Sequence, residues 1–199
     1  RTGEQRQVMQ DRVPQARIYK VWNVPNSLST DTSLLDLYSS VLADGKNSRL
    51  YNRLVYQDQI ATDVTAFIQN GEIASLFIIQ ATANPGNDLT AVETAIDEEM
   101  NRLLTEGPEQ DELNRVRTQM RARFIRGIER IGGFGGKSDA LARSEVYGGS
   151  PDAYKQTIVD QQNATVESIR DAANRWLTDG VYVLEVEPFP RYAARGESV

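Results

Sequence analysis

Asp63-Val64-Thr65-Ala66-Phe67-Ile68-Gln69-Asn70-Gly71-Glu72-Ile73-Ala74-Ser75-Leu76-Phe77-Ile78-Ile79-Gln80-Ala81-Thr82-Ala83 places two runs rich in β-branched and aromatic residues on either side of an Asn-Gly pair. Asn-Gly adopts the positive φ of a tight hairpin turn at little cost, so 63–69 and 74–83 are predicted to be antiparallel strands. Upstream, Gln5 to Arg12 and Ala16 to Val24 also read as strands, the second rich in Ile18, Tyr19, Val21 and Trp22. Separated only by a Val13-Pro14 break, these two are expected to pair as a hairpin. Between the strand pairs, Leu34, Leu35, Tyr38, Val41 and Leu42 fall at helical spacing and stop at Asp44-Gly45. A shorter helix is predicted from Ser48 to about Gln57.

Downstream of the hairpin the period changes to helical. Leu89, Val92, Ile96, Met100, Leu103 and Leu104 trace one face. After Gly107-Pro108, a natural helix opening, Leu113, Val116, Met120, Phe124 and Ile128 trace another. Helices are also predicted over Ser138–Tyr147, after Pro151, and from a Thr165 cap with the face Ile169, Ala173, Trp176 and Leu177. Val181 to Glu187 closes the chain as an alternating strand. Strand pairs plus a separate block of helices predict an α+β fold, a mixed or antiparallel sheet with helices mainly on one face. One domain is expected over residues 1–190, followed by a polar tail or linker at 191–199.

Composition removes whole classes of chemistry. The chain has no histidine and no cysteine. That excludes His-based triads, thiolate nucleophiles and redox pairs, and the usual zinc ligand sets. With 22 basic and 28 acidic residues the net charge is −6, which argues against a phosphate-tracking nucleic-acid surface. No apolar run approaches the roughly 18 residues of a membrane-spanning helix, and the reading is of a soluble domain. Opening on Arg1-Thr2-Gly3-Glu4 and closing on a polar run, the sequence reads as an excised piece.

Local strings that tempt a functional reading have plainer ones. Gly135-Gly136-Lys137-Ser138 ends like a phosphate-binding loop, but Ile131 stands where that loop needs its first glycine. It reads as a mobile inter-helical loop. Asp97, Glu98 and Glu99 are assigned to the polar side of a helix, and Glu109, Asp111 and Glu112 to a first turn where acids complement the dipole. Arg115, Arg117, Arg121, Arg123, Arg126 and Arg130 scatter around one helix and read as a solvated surface. Asn163-Ala164-Thr165 forms a glycosylation sequon that a capping threonine explains equally well.

Three strings in order carry a resemblance. Val41-Leu42-Ala43-Asp44-Gly45-Lys46-Asn47-Ser48-Arg49-Leu50-Tyr51, followed by Gln59-Ile60-Ala61, resembles L-x-G-G-x-x-S-R-L-[FY]. Glu106-Gly107-Pro108-Glu109-Gln110-Asp111-Glu112-Leu113 is similar to E-G-P-T-x-E-E-L, and Ala164-Thr165-Val166-Glu167-Ser168-Ile169 to a late V-T-x-E-x-I helix start. These belong to the insulinase, pitrilysin and mitochondrial processing peptidase family of inverted-zincin peptidases, and the resemblance covers about residues 5–188.

The resemblance implies that this is the C-terminal, non-catalytic domain of a bacterial-type zinc peptidase. The zinc and its H-x-x-E-H motif would lie in an N-terminal domain of the same polypeptide, so this chain is expected to hold no catalytic residue, cofactor or metal of its own. Its implied roles are to wall a chamber around the peptide substrate and to pack against the zinc domain. In some members the second domain also grips the peptide with an arginine and, seven residues on, a tyrosine. Those positions here are Val55 and Thr62, which lack the donors, so a homologous second subunit is expected to supply them. Arg49 and Tyr56 share the spacing, but Arg49 belongs to the Ser-Arg-Leu string and the pair reads as a decoy. The rival expectation is a structural assembly module, since the family includes respiratory-complex core proteins without proteolysis. The compartment stays open, with the periplasm expected for a bacterial member.

Overall fold

The computed structural model describes residues 2–190, so the tail predicted at 191–199 lies outside the described residues. In order come β1 (Gln5–Asp11), β2 (Arg17–Val24), α1 (Thr30–Ala43), a π-helix (Tyr51–Gln57), β3 (Ala61–Gln69) and β4 (Ser75–Ala83). There follow α2 (Leu89–Glu106), α3 (Gln110–Glu129), α4 (Lys137–Gly148), α5 (Tyr154–Asn163), α6 (Val166–Leu177) and β5 (Tyr182–Pro188). The strands form one mixed sheet in the order β1-β5-β2-β4-β3, and the fold is α+β as predicted.

The predicted strands pair, β3 running antiparallel to β4 from Ala61 opposite Ala83 to Gln69 opposite Leu76, but the connection is a five-residue loop, 70–74, in which neither Asn70 nor Gly71 takes the positive φ of a tight Asn-Gly turn. The predicted β1–β2 hairpin does not. β5 lies between them, parallel to β1 and antiparallel to β2. Polarity explains the insertion. β1 reads Gln-Arg-Gln-Val-Met-Gln-Asp and is exposed along its whole length, as suits an edge strand. The apolar β5 instead gains backbone partners on both sides.

Alternation along the strands separates two faces. Ile18, Trp22 and Val24 of β2, Phe77, Ile79 and Ala81 of β4, Val64 and Val183 are buried beneath the helices. α1 is the central helix, buried from Thr32 to Ala43 except at Asp36 and packed against β3, α3, α5 and α6. The predicted apolar faces of α2 and α6 both point inward. Leu89, Val92, Ile96, Met100 and Leu103 are buried on α2, and Ile169, Ala173 and Leu177 on α6. The Trp176 indole N–H donates to Asp31 Oδ2 at 2.7 Å. Residues of opposite parity, among them Tyr19, Val21, Ile78, Tyr182 and Leu184, form a half-exposed second sheet face.

Two charged side chains are buried, and for Glu99 this corrects the sequence reading. Lys20, only 4% exposed, points from β2 into the helix side, where its ammonium donates to Glu93 (3.2 Å) and Asp97 (2.5 Å). Glu99 is also 4% exposed, not on a solvated face, and accepts from Arg102. Buried charges persist when paired, and these pairs fasten α2 to the sheet and brace its own turn. The α3 stripe leaves the core halfway. Leu113 and Val116 are buried, while Met120, Phe124 and Ile128 are half-exposed on a helix that runs outward toward α4.

Candidate functional site

The three family-like strings, far apart in sequence, meet in space. The Ser48 hydroxyl donates to the Gly45 carbonyl at 2.7 Å, closing the turn after α1 and setting Arg49 inward. The Arg49 guanidinium grips Glu112 in a bidentate pair, Nε to Oε1 at 2.8 Å and Nη2 to Oε2 at 2.7 Å. Glu112 accepts the Glu109 backbone N–H as well, at 2.8 Å, so one carboxylate both caps α3 and anchors the first string to the second. Gly107, at φ +78°, presses its backbone against Val166 of the third string; an added Cβ would lie 3.0 Å from Val166 Cγ1. Thr165 then caps α6, its Oγ1 accepting from the Ser168 N–H at 3.1 Å. These strings fasten the helices together. Arg49 is occupied in that junction, while Tyr56 is 75% exposed.

Val55 sits on the π-helix, half-buried against the core, and Thr62 is exposed at the start of β3, its hydroxyl donating to the Thr82 carbonyl at 3.3 Å. Neither lines the cleft on the helix side of β3. That cleft, about 810 Å³, opens between α1, α3, α5 and the edge strand β3. Its floor is apolar: Ala66 of β3, Met120 and Phe124 of α3, Tyr154 and Ile158 of α5. The Phe124 and Tyr154 rings stack with centroids 5.6 Å apart. Arg117 braces the far wall by donating to the Gln161 (3.0 Å) and Ala164 (2.6 Å) carbonyls, and Arg123 pairs with Asp44. The α3 arginines are therefore not uniformly solvated, as their spacing suggested. β3 is paired on one side only, so its outer edge offers unpaired backbone groups beside this apolar floor.

Asp36 interrupts the apolar face of α1 between Leu35 and Leu37, the signal in the sequence that could have located the cleft. Burial pushes its carboxyl up to about 6, with Arg123 opposing and Asp44 reinforcing the rise. The raised value means the fold favours the neutral acid. This contribution is full below the unfolded value of about 4 and is lost as pH rises through about 6. Asp36→Asn is expected to stabilise the protein by about 1–2 kcal/mol near pH 8, a figure discounted for exposure to the cleft. Below about pH 4 the gain should vanish. Urea midpoints across pH check this, and a gain that does not change with pH would contradict it.

No paired nucleophile and base appears in the cleft. Among the described residues no group of three or more His, Cys, Asp or Glu is placed to hold a metal ion. With neither imidazole nor thiolate available, the donor set does not fit zinc. No helix among the described residues is long and apolar enough to cross a membrane.

Comparison with solved structures yields the same architecture. A protease from Helicobacter pylori superposes with a TM-score of 0.84 at 20% identity, covering 94% of this chain and 45% of that one. A peptidase M16 inactive domain from Pseudomonas fluorescens gives 0.78 at 14% identity, over 98% and 44%. A chain of Complex III2 from Candida albicans gives 0.76 at 11%, over 94% and 46%. The chain thus spans under half the length of these relatives. No curated protein matches its sequence. A sequence profile described as the peptidase M16 inactive domain matches residues 1–120. With more than half of its residues matched, the chain belongs to the peptidase M16 inactive domain family.

Proposed function

We propose that this chain is the non-catalytic half of a zinc-dependent peptidase, walling the substrate chamber and packing against a zinc-bearing domain encoded upstream. The observation that carries the reading is the open edge of β3 beside an apolar cleft in a chain without catalytic donors. An extended peptide can add to such an edge by main-chain hydrogen bonds, which are blind to sequence, while an apolar side chain drops into the floor. The half-exposed sheet face, with Tyr19, Tyr182 and Leu184, suits a surface that meets another domain or a chamber lumen.

Titrating the isotopically labelled chain with an unstructured, apolar-rich peptide tests the wall. Amide shifts are expected to concentrate on residues 63–68 and around Phe124, and Phe124→Ala should weaken binding by about tenfold, the loss of one buried aromatic contact. Shifts spread evenly over the surface would count against it.

Holding the peptide beside the metal supplies much of a peptidase's advantage, and Val55 and Thr62 offer no strong donors for that purpose. We therefore assign this grip to a homologous second subunit carrying an arginine and a tyrosine. Full activity from the purified parent alone would refute that division of labour. Activity that appears only on mixing, and disappears with the homologue's arginine-to-alanine variant, would support it.

The likeness to a chain of Complex III2 keeps one other reading in play, a structural module without proteolysis. An intact H-x-x-E-H in the upstream coding sequence, with one zinc per chain by metal analysis, separates the two.

A further inference from the structure

The glycine-rich loop between α3 and α4 is held in one shape. Lys137 N–H donates to the Arg130 carbonyl at 2.8 Å, Ser138 N–H to Ile131 at 3.0 Å, and Gly136 N–H to Gly133 at 3.1 Å. Gly135 N–H donates to Asp139 Oδ2 at 3.0 Å. Gly136 is buried inside the loop, where an added Cβ would fall 2.7 Å from the Gly132 carbonyl oxygen, so the backbone closes on itself only with glycine there. The sequence suggested a mobile connector; the hydrogen bonds describe a compact knob.

What the knob displays is apolar. Phe134 is 98% exposed and Ile131 81%, and neither packs against the core cluster of the described residues. Cations flank them along the chain. Arg126, Lys137 and Arg143 are exposed and form no ion pair among the described residues, and the Arg130 guanidinium donates to the Phe134 carbonyl at 3.5 Å. Residues 115–148 carry eight basic and three acidic side chains, a net of +5 within a chain of −6. The outward arm is the basic pole of an acidic domain.

A loop whose backbone is already hydrogen-bonded into one shape has lost the backbone entropy that presenting its aromatic ring to a partner would otherwise cost, which favours its use as an anchor. Surface insertion into lipid needs no such rigidity. We infer that the 130–138 knob is a docking element whose Phe134 enters an apolar, carboxylate-rimmed socket on the catalytic M16 domain paired with this one. The inference rests on the reading of the chain as one half of a longer peptidase, and it deepens that reading by naming the contact.

Hydrogen exchange of the full-length gene product, compared with that of the 199-residue chain alone, tests it. Segment 130–138 is expected to exchange at least about tenfold more slowly in the full-length protein, as befits an anchor at the centre of an interface. Phe134→Ala should remove most of that protection without changing the thermal midpoint of the 199-residue chain. High salt should reduce it, because exposed charges are screened within about 10 Å at 0.1 M. Equal exchange of the knob in both proteins, with protection elsewhere on this domain, overturns the inference and leaves the paired-domain reading standing. No protection anywhere overturns both. Protection of the knob that arises only on phosphatidylglycerol vesicles, or only at concentrations where the 199-residue chain self-associates, assigns Phe134 to lipid or to a second copy and overturns the socket.

Discussion

Glu112→Ala is expected to destabilise the domain by about 3–5 kcal/mol, because it leaves the largely buried Arg49 guanidinium without its counter-charge. The same change frees the Glu109 N–H at the start of α3 and unties the second family-like string from the first. Burial raises the Glu112 carboxyl, but the hydrogen bonds from Arg49 and the Glu109 amide outweigh it and hold the group below its ordinary value. A depressed carboxyl contributes stability above its unfolded value of about 4.3, and that contribution is lost as pH falls through the lower folded value. Wild type should therefore lose stability on acidification over a range where Glu112→Ala changes less. Arg49→Met with Glu112→Leu should recover most of the loss, since an apolar pair needs no counter-charge. A urea midpoint for the single variant within about 0.5 kcal/mol of wild type, the range typical of neutral surface changes, would show the junction to be incidental.

Phe77→Ala is expected to be equally severe, costing about 3–5 kcal/mol. Phe77 is fully buried in β4 and contacts Trp22 and Tyr38, each with centroids 5.9 Å away. These three rings bond the sheet to α1, so the cavity would open where the two layers meet. Close packing leaves neighbours little room to collapse into it. Equilibrium unfolding checks the magnitude, and a loss below about 1 kcal/mol would mean that Trp22 and Tyr38 relax into the space. Phe67, one strand over and on the opposite sheet face, is 42% exposed, and its alanine variant should change stability far less.

Much of this protein is written in short stretches. The β3–β4 strand pair, the apolar faces of α1, α2 and α6, and the Thr165 cap depend on residues within a few positions of each other, so periodicity and capping chemistry reveal them directly. The missing histidine and cysteine settle by count alone that this chain cannot assemble the usual zinc site. The three family-like strings disclosed the family, but not why such residues stand there. Only in space does Arg49 meet Glu112, and Gly107 meet Val166. Strand order was likewise a tertiary decision. Whether β1 pairs with its sequence neighbour or with β5 depends on which strand gains two backbone partners and a buried face, and β5 arrives from the far end of the chain. The same holds for Lys20, whose charge is buried only because Glu93 and Asp97 of α2 reach it, and for Glu99, which the packing of α2 buries although its partner Arg102 lies one turn away on the same helix. The cleft at β3 needed four elements to converge, because a concave surface is a property of packed layers and has no period in the sequence.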